Sequence, residues 1–334
     1  MSRKVGINGL GRIGRAILKL VMDEPSMELV AVNDLTDVEN LAYLLRFDTV
    51  YGRYSKSVAV AEGDLVVDGR KLRTMNIADA ALLPWKQLGV ELVFECTGTL
   101  TRPGDLEKHI RAGAQFVLLS APSKDEAVET VIHGVSTQEG ATAIISCASC
   151  TTNCIAPIVE VIGRRIGFEK AAMTTVHAYT SSQSIVDGSN KRFRRGRAAA
   201  ANLIPATTGA AQATTLALPA YAGRFDGIAI RAPIPVGSIA DLTFVTSRKT
   251  TVDEVNRVLT EEAATQRYDG VLGVSRDPLV SSDIVGDPRA SVVDLDLTRV
   301  IDEDLVKILS WYDNEWGYAN QMVREAAAII ATEP

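Results

Sequence analysis

KVGINGLGRIGRAILKLV, residues 4–21, reads as a short apolar strand, a turn with glycines at 9, 11 and 14, and then an amphipathic helix carrying Ile13, Ile17, Leu18, Leu20 and Val21. In that setting the Gly9-x-Gly11-x-x-Gly14 pattern suits a tight turn whose backbone amides, with a helix N-terminus, approach a pyrophosphate. A second apolar run, LVAVND (29–34), closes on Asp34 about twenty residues beyond the glycines, where a carboxylate accepts hydrogen bonds from an adenosine ribose. The same charge repels a 2′-phosphate, so the pattern points to NAD in preference to NADP.

Outward from this stretch, ELVFECTG (91–98), QFVLLSAP (115–122) and TAIIS (142–146) continue an alternation of apolar runs and helical patterns, the mark of an α/β fold with a parallel sheet. After about residue 150 the pattern changes. GIAIRAPIPVG (227–237) and DLTFVTS (241–247) read as long strands with a tight connection, more like an antiparallel sheet. The expected organisation is a Rossmann-type domain over 1–149, completed by the C-terminal helix 315–334, and a catalytic α+β domain with a mainly antiparallel sheet over 150–314. TTVDEVNRVLTEEAA (250–264) has Val252, Val255, Val258 and Leu259 at helical spacing and reads as a surface helix on that second sheet. WGYANQMVREAAAII (316–330) reads as a helix whose small-residue face suits packing on the first domain.

The chain has 334 residues, of which 46% are hydrophobic, enough for two cores, and its net charge of −6 argues against a general affinity for nucleic acid or anionic membrane. With no secretory signal and no apolar run of about eighteen residues, the reading is a cytoplasmic protein. In that compartment four cysteines are a poor disulfide framework, which leaves metal binding or catalysis for the cluster SCASCTTNC (146–154).

The run TAIIS leads into this cluster, and Ile155, Ile158, Val159 and Ile162 follow at helical spacing, so Cys150 lies where a strand passes into a helix. Ser149 suits the N-cap, the helix's positive end favours a thiolate at Cys150, and Pro157 implies a bend. A metal site on Cys147, Cys150 and Cys154 lacks the second CxxC or HxxxH of common zinc sites, so no metal is expected. A redox pair of Cys147 and Cys150 stays open, although Cys147 on an apolar strand, Cys154 one helical turn beyond Cys150, and Cys96 all suit packing. A nucleophilic thiol needs a base. His109 reads as the polar face of a helix and His133 as a loop or strand end, which leaves His177, in the threonine-rich TTVHAYT (174–180), as the best partner for Cys150.

Taken together and in order, NGLGRIGR, ASCTTNCIAP, TTVHAYT, TTGAA and WYDNEWGY resemble the phosphorylating glyceraldehyde-3-phosphate dehydrogenases, and the likeness covers essentially the whole chain. It implies that Cys150 attacks the aldehyde and that inorganic phosphate cleaves the resulting thioester. His177 would raise the thiolate fraction by ion pairing and act as acid/base. The resemblance places Gly9, Gly11, Arg12, Ile13, Gly14, Asp34, Ser120 and Asn314 at the cofactor, with Asn314 on the nicotinamide carboxamide. It places Thr180, Arg195 and Arg231 at the substrate phosphate, and Ser149, Thr151, Thr208 and Gly209 near the attacking phosphate. The basic run KRFRRGR (191–197) then belongs to a loop near a neighbouring subunit's cofactor, implying a homotetramer rather than a nucleic-acid patch. Three departures stand out. Ser182 replaces a common aspartate, Gln212 a usual lysine, and Gly188 and Ser189 a Leu-Pro pair, the last implying that NADP is also accepted. Erythrose 4-phosphate is the alternative substrate, but the Thr208–Gly209 pair favours phosphorolysis of a glyceraldehyde 3-phosphate thioester.

Overall fold

The computed structural model describes residues 2–123, 125–136 and 142–332. The chain forms two compact units, one of Met1–Val131, Gln138–Ala148 and Met322–Pro334, the other of Ile132–Thr137 and Ser149–Gln321.

The first unit holds a nine-stranded sheet in the order Glu129–Thr130, Ile144–Ser146, Phe116–Leu119, Leu92–Glu95, Arg3–Asn8, Met27–Asn33, Arg70–Met75, Asp64–Val67 and Val58–Ala61. The first seven run parallel, and the last two are added by antiparallel pairing, Asp64–Val67 on Arg70–Met75 and Val58–Ala61 on Asp64–Val67. Strands covered on both faces read as unbroken apolar runs, and Val5, Ile7, Val93, Phe94, Val117 and Leu118 are fully buried here. The carboxyl ends of the strands at Asn8, Asn33 and Glu95 therefore gather at one edge, where open α/β sheets bind ligands.

The second unit holds a seven-stranded, mainly antiparallel sheet in the order Ile204–Thr207, Phe225–Ala232, Phe168–Ala178, Ser238–Thr246, Leu305–Tyr312, Ser291–Ile301 and Leu272–Ser275. One expectation is corrected. The strands Phe225–Ala232 and Ser238–Thr246 do not pair with each other, because Phe168–Ala178 lies between them, parallel to the first and antiparallel to the second. The connecting residues 233–237 include Pro233 and Pro235, which fix φ and remove amide donors, so a tight hairpin is excluded. Extended at about 3.3 Å per residue, the connection easily steps over one strand, a span of roughly 10 Å.

The helix Cys150–Arg165 lies against this sheet with Ile155, Ile158, Val159 and Ile162 fully buried, and it continues through Pro157. The helix Val252–Ala263 is capped by Thr251, whose hydroxyl accepts from the Glu254 amide at 3.2 Å, and buries Val255, Val258 and Leu259 while Val252 stays half-exposed. The last helix, Trp316–Thr332, is divided, with its residues through Gln321 in the second unit and those from Met322 in the first.

Candidate active site

In the first unit the three glycines of the opening stretch have different duties. Gly9 has φ +94°, and a Cβ there would meet the Thr97 amide nitrogen at 2.7 Å. A Cβ on Gly14 would lie 1.9 Å from the Gly9 carbonyl oxygen. Only glycine fits at either place. Gly11 is exposed, and a Cβ there would meet nothing within 4 Å, so its bareness leaves room for a ligand at the start of the helix Arg12–Val21. Asp34 is fixed against the same turn, accepting from the Leu10 amide at 2.6 Å and the Thr36 amide at 2.8 Å. A cleft of about 330 Å³ runs over Gly9, Gly11, Asp34, Leu35 and Thr97. These residues fit a dinucleotide, with the open backbone for the pyrophosphate and the carboxylate for a ribose.

The Arg12 side chain pairs with Asp48 and covers the Tyr51 ring at 5.5 Å, so its guanidinium is engaged beside the cleft. Ile13 is half-buried in the first turn of that helix, and Ser120 follows the strand Phe116–Leu119 with its amide on the Glu95 carbonyl at 2.9 Å. The steric difference makes a clean prediction. Gly14→Ala should abolish NAD binding and lower the unfolding midpoint by several degrees, whereas Gly11→Ala should leave the midpoint almost unchanged and weaken only binding. Calorimetric titration beside thermal melting checks both.

In the second unit Cys150 opens its helix. Ser149 is the N-cap, its hydroxyl accepting from the Thr152 amide at 3.1 Å. The Cys150 Sγ lies 3.4 Å from His177 Nε2, and His177 is 4% exposed on the central strand Phe168–Ala178. Arg231, on the neighbouring strand, has Nη1 at 2.7 Å from His177 Nδ1 and 3.0 Å from the Ala178 carbonyl, which is itself 2.7 Å from Nδ1. A guanidinium only donates, so with Arg231 in this position Nδ1 accepts, and the imidazole proton sits on Nε2, facing the sulfur.

Burial, and next the Arg231 charge, push His177 down to about 3, which weighs against the expected Cys150–His177 ion pair in the free site. Burial pushes the Cys150 thiol up, opposed by Arg231 and by the Thr151 hydroxyl and backbone amides at the helix start. The positive charge beside the sulfur belongs to Arg231.

The remaining residues sort themselves by their partners. Arg195 donates to the Ser182 hydroxyl at 2.6 Å, and that hydroxyl also lies 2.9 Å from the Thr180 Oγ1. Burial and the Arg231 charge both push Arg195 down, so two guanidinium groups are held near one another. The Nε atoms of Arg195 and Arg231 are both buried without a hydrogen-bond partner. Two like charges with orphaned donors form a pocket that calls for an anion. With serine at 182 no carboxylate neutralises Arg195, which gives that departure a physical sense.

The Thr151 hydroxyl is buried at 2.9 Å from Tyr312 Oη, which also meets Thr175 Oγ1 at 2.8 Å. Thr208 and Gly209 begin the helix Ala210–Ala217, where the Thr208 hydroxyl accepts from the Ala210 amide at 3.1 Å and Gly209 is exposed. Gln212 is exposed in the first turn of that helix, and nothing in the structure explains it. The Asn314 carbonyl oxygen accepts from the Gly237 amide at 3.2 Å and from Ser238 Oγ at 2.9 Å. Its NH₂ group is thereby the end left to donate.

Among the other cysteines and histidines, Cys154 is fully buried with its thiol pushed up to about 12 by burial, and Cys147 is buried and likewise pushed up. No group of three or more metal-ligating side chains occurs among the described residues. His109 corrects the sequence reading. It is fully buried, not on a polar face, with Trp85 Nε1 donating to its Nδ1 at 3.0 Å and its Nε2 at 3.0 Å from Glu95. Its position three residues after buried Leu106 on the helix Pro103–Arg111 was the available signal.

A dinucleotide cleft on a parallel sheet, in a chain that also carries a cysteine–histidine pair beside an anion pocket, is the equipment of an NAD-dependent oxidoreductase. Comparison with known proteins sharpens the class. Residues 3–103 match the family model of the glyceraldehyde 3-phosphate dehydrogenase NAD binding domain, and residues 149–314 that of its C-terminal domain. The chain belongs to the glyceraldehyde-3-phosphate dehydrogenase family. A glyceraldehyde-3-phosphate dehydrogenase of Streptomyces coelicolor is 47% identical over 327 residues, covering 97% of each chain. One of Zymomonas mobilis is 44% identical over 336 residues, covering 99% of this chain and 100% of the relative. Glyceraldehyde-3-phosphate dehydrogenase 1 of Bacillus subtilis is 45% identical over 332 residues, covering 98% of each.

Proposed function

We propose that this chain reversibly oxidises D-glyceraldehyde 3-phosphate to 1,3-bisphosphoglycerate with NAD and inorganic phosphate, through a thiohemiacetal and a thioester on Cys150. The observation that carries the reading is the pair of guanidinium groups, Arg195 and Arg231, with buried unpartnered Nε atoms, beside a thiol 3.4 Å from an imidazole. An aldehyde that carries a phosphate is the substrate such a pocket selects. In this reading Met1–Val131 carries the dinucleotide and Ser149–Gln321 the chemistry.

Each residue then has a task. The substrate phosphate draws Arg231 away from His177 Nδ1, which becomes free to hold a proton against the Ala178 carbonyl. The ring's own proton settles there, and Nε2, bared by this change of tautomer, takes the thiol proton across the 3.4 Å gap, so the pair becomes thiolate and imidazolium only when substrate is present. Cys150 Sγ bonds to the aldehyde carbon, and the Nε2 proton passes to the new oxyanion, helped by the Cys150 backbone amide. The imidazole, now bare at Nε2, takes the hydroxyl proton back as the carbon is oxidised. NAD, when bound, supplies the hydride acceptor, and the Asn314 NH₂ is the donor for its carboxamide. Phosphate then attacks the thioester beside Ser149, Thr208 and Gly209, and Cys150 leaves as thiolate.

The test follows NADH formation from glyceraldehyde 3-phosphate and NAD with and without inorganic phosphate or arsenate. Strong dependence on phosphate is expected, and full activity without it would overturn the phosphorolysis. The same assay with NADP should give a lower but measurable rate. Asp34, pinned by two loop amides, repels the 2′-phosphate, while Gly188 and Ser189 leave their loop exposed and unobstructed. Turnover of erythrose 4-phosphate should be much slower.

For assembly the reading is a homotetramer. The loop around Arg195 exposes Ile185 at 85%, Val186 at 72%, Phe193 at 89% and Leu203 at 69%, an apolar patch of the kind that partners cover. Sedimentation as a monomer at micromolar concentration would count against it. No helix among the described residues is long and apolar enough to cross a membrane.

A further inference from the structure

The dinucleotide cleft is underlain by a buried chain of polar groups that the reaction above does not use. Glu95, at the carboxyl end of the strand Leu92–Glu95, is fully buried. Its Oε2 accepts from Asn8 Nδ2 at 2.6 Å and faces His109 Nε2 at 3.0 Å. Its Oε1 accepts from the Thr97 amide at 2.8 Å and from the Thr97 hydroxyl. All four partners are placed to donate, an arrangement that suits a carboxylate.

The neighbour that would ordinarily neutralise this charge is prevented from doing so. Indole N–H is a donor only, and Trp85 Nε1 donates to His109 Nδ1, so that nitrogen carries a lone pair and the ring is uncharged. Among the described residues no lysine or arginine pairs with Glu95, its sole ion-pair contact being His109. A net negative charge is thus locked under the cleft, one hydrogen bond from Asn8 and Thr97, which line it.

We infer that Glu95 is a specificity-determining residue that makes the cleft prefer the oxidised, cationic form of the nicotinamide cofactor over the reduced, neutral form. The inference rests on NAD being the cofactor. With Asp34 on the adenosine side of the glycine turn, the ends of the strands bearing Asn8 and Glu95 face the other half of the dinucleotide. Oxidised and reduced forms share the pyrophosphate, so its repulsion from Glu95 cancels in their ratio. The ring's single positive charge does not cancel, and in a poorly solvated site it feels the carboxylate across several ångströms.

Calorimetric titration of the full chain with NAD⁺ and with NADH tests this. The wild type should bind NAD⁺ more tightly. In Glu95→Gln, which keeps the shape and removes the charge, the preference should shrink roughly three- to tenfold, an estimate from one screened charge at about 10 Å. Glu95→Asp, which keeps the charge, should retain most of it. A Glu95→Gln protein that binds both forms more weakly with an unchanged ratio would show Glu95 to be merely structural and overturn the inference. Should Glu95→Gln fail to fold, the wild type decides, because NADH binding as tight as NAD⁺ binding overturns the inference equally. Binding of neither form would instead overturn the cofactor reading on which it rests.

Discussion

Cys150→Ser binds NAD as the wild type does and turns over at least on the order of 10³ times more slowly, the scale seen when a covalent nucleophile is removed. The reason is acidity. An ordinary thiol ionises near pH 8.5, and although burial pushes Cys150 up, Arg231 and the helix-start amides oppose that rise, whereas a serine hydroxyl ionises so much less readily that the same field leaves it protonated. The cleft over Gly11 and Asp34 is built from other residues, so cofactor binding is spared. Steady-state rates beside calorimetric NAD titration check the split, and retained oxidation above a few per cent would remove Cys150 from the reaction.

Arg231→Gln is the second large effect, because one guanidinium has two tasks. Losing a charge-assisted contact to the substrate phosphate costs about 1.5–3 kcal/mol, roughly ten- to a hundredfold in kcat/KM for glyceraldehyde 3-phosphate. The pH signature separates the second task from the first. Arg231 lowers the Cys150 pKa, so its removal moves thiolate formation to higher pH and slows alkylation at neutral pH. Burial holds His177 down first and Arg231 second, so in the variant His177 should rise only part of the way from about 3. Rates of iodoacetamide alkylation against pH should show the upward move at Cys150 in Arg231→Gln and a much smaller one in His177→Asn, since the free imidazole is uncharged. The opposite ranking would restore the resting Cys150–His177 ion pair and remove Arg231 as its gate.

Much of this site is legible in the sequence. Gly9, Gly11, Gly14 and Asp34 announce the cleft because a strand, a turn and a helix are neighbours in sequence and their periodicities are local. Cys150 with Ser149 as its cap was legible for the same reason. What failed was long-range. His109 carries helix-face spacing with Leu106, but the sequence does not show that Glu95 and Trp85 wait for it in the core. Nor does it show that the Thr151 hydroxyl meets Tyr312, a residue distant in the chain. The two strands around Pro233 and Pro235 read as partners because they are consecutive, and only sheet topology shows a third strand between them.

The sequence by itself determined which chemistry the chain carries: a glycine turn, a carboxylate after the second strand, a thiol at a helix start and one histidine suited to meet it. These are composition and short spacing, and local backbone physics fixes them. The tertiary structure decided the protonation of that chemistry. How readily His177 takes a charge depends first on its burial and then on Arg231 reaching its Nδ1, and the partners of Glu95 are assembled from Asn8, Thr97 and His109, far apart in the chain. Donors and acceptors meet only after distant strands and helices have packed, and a buried charge is set by what surrounds it in three dimensions.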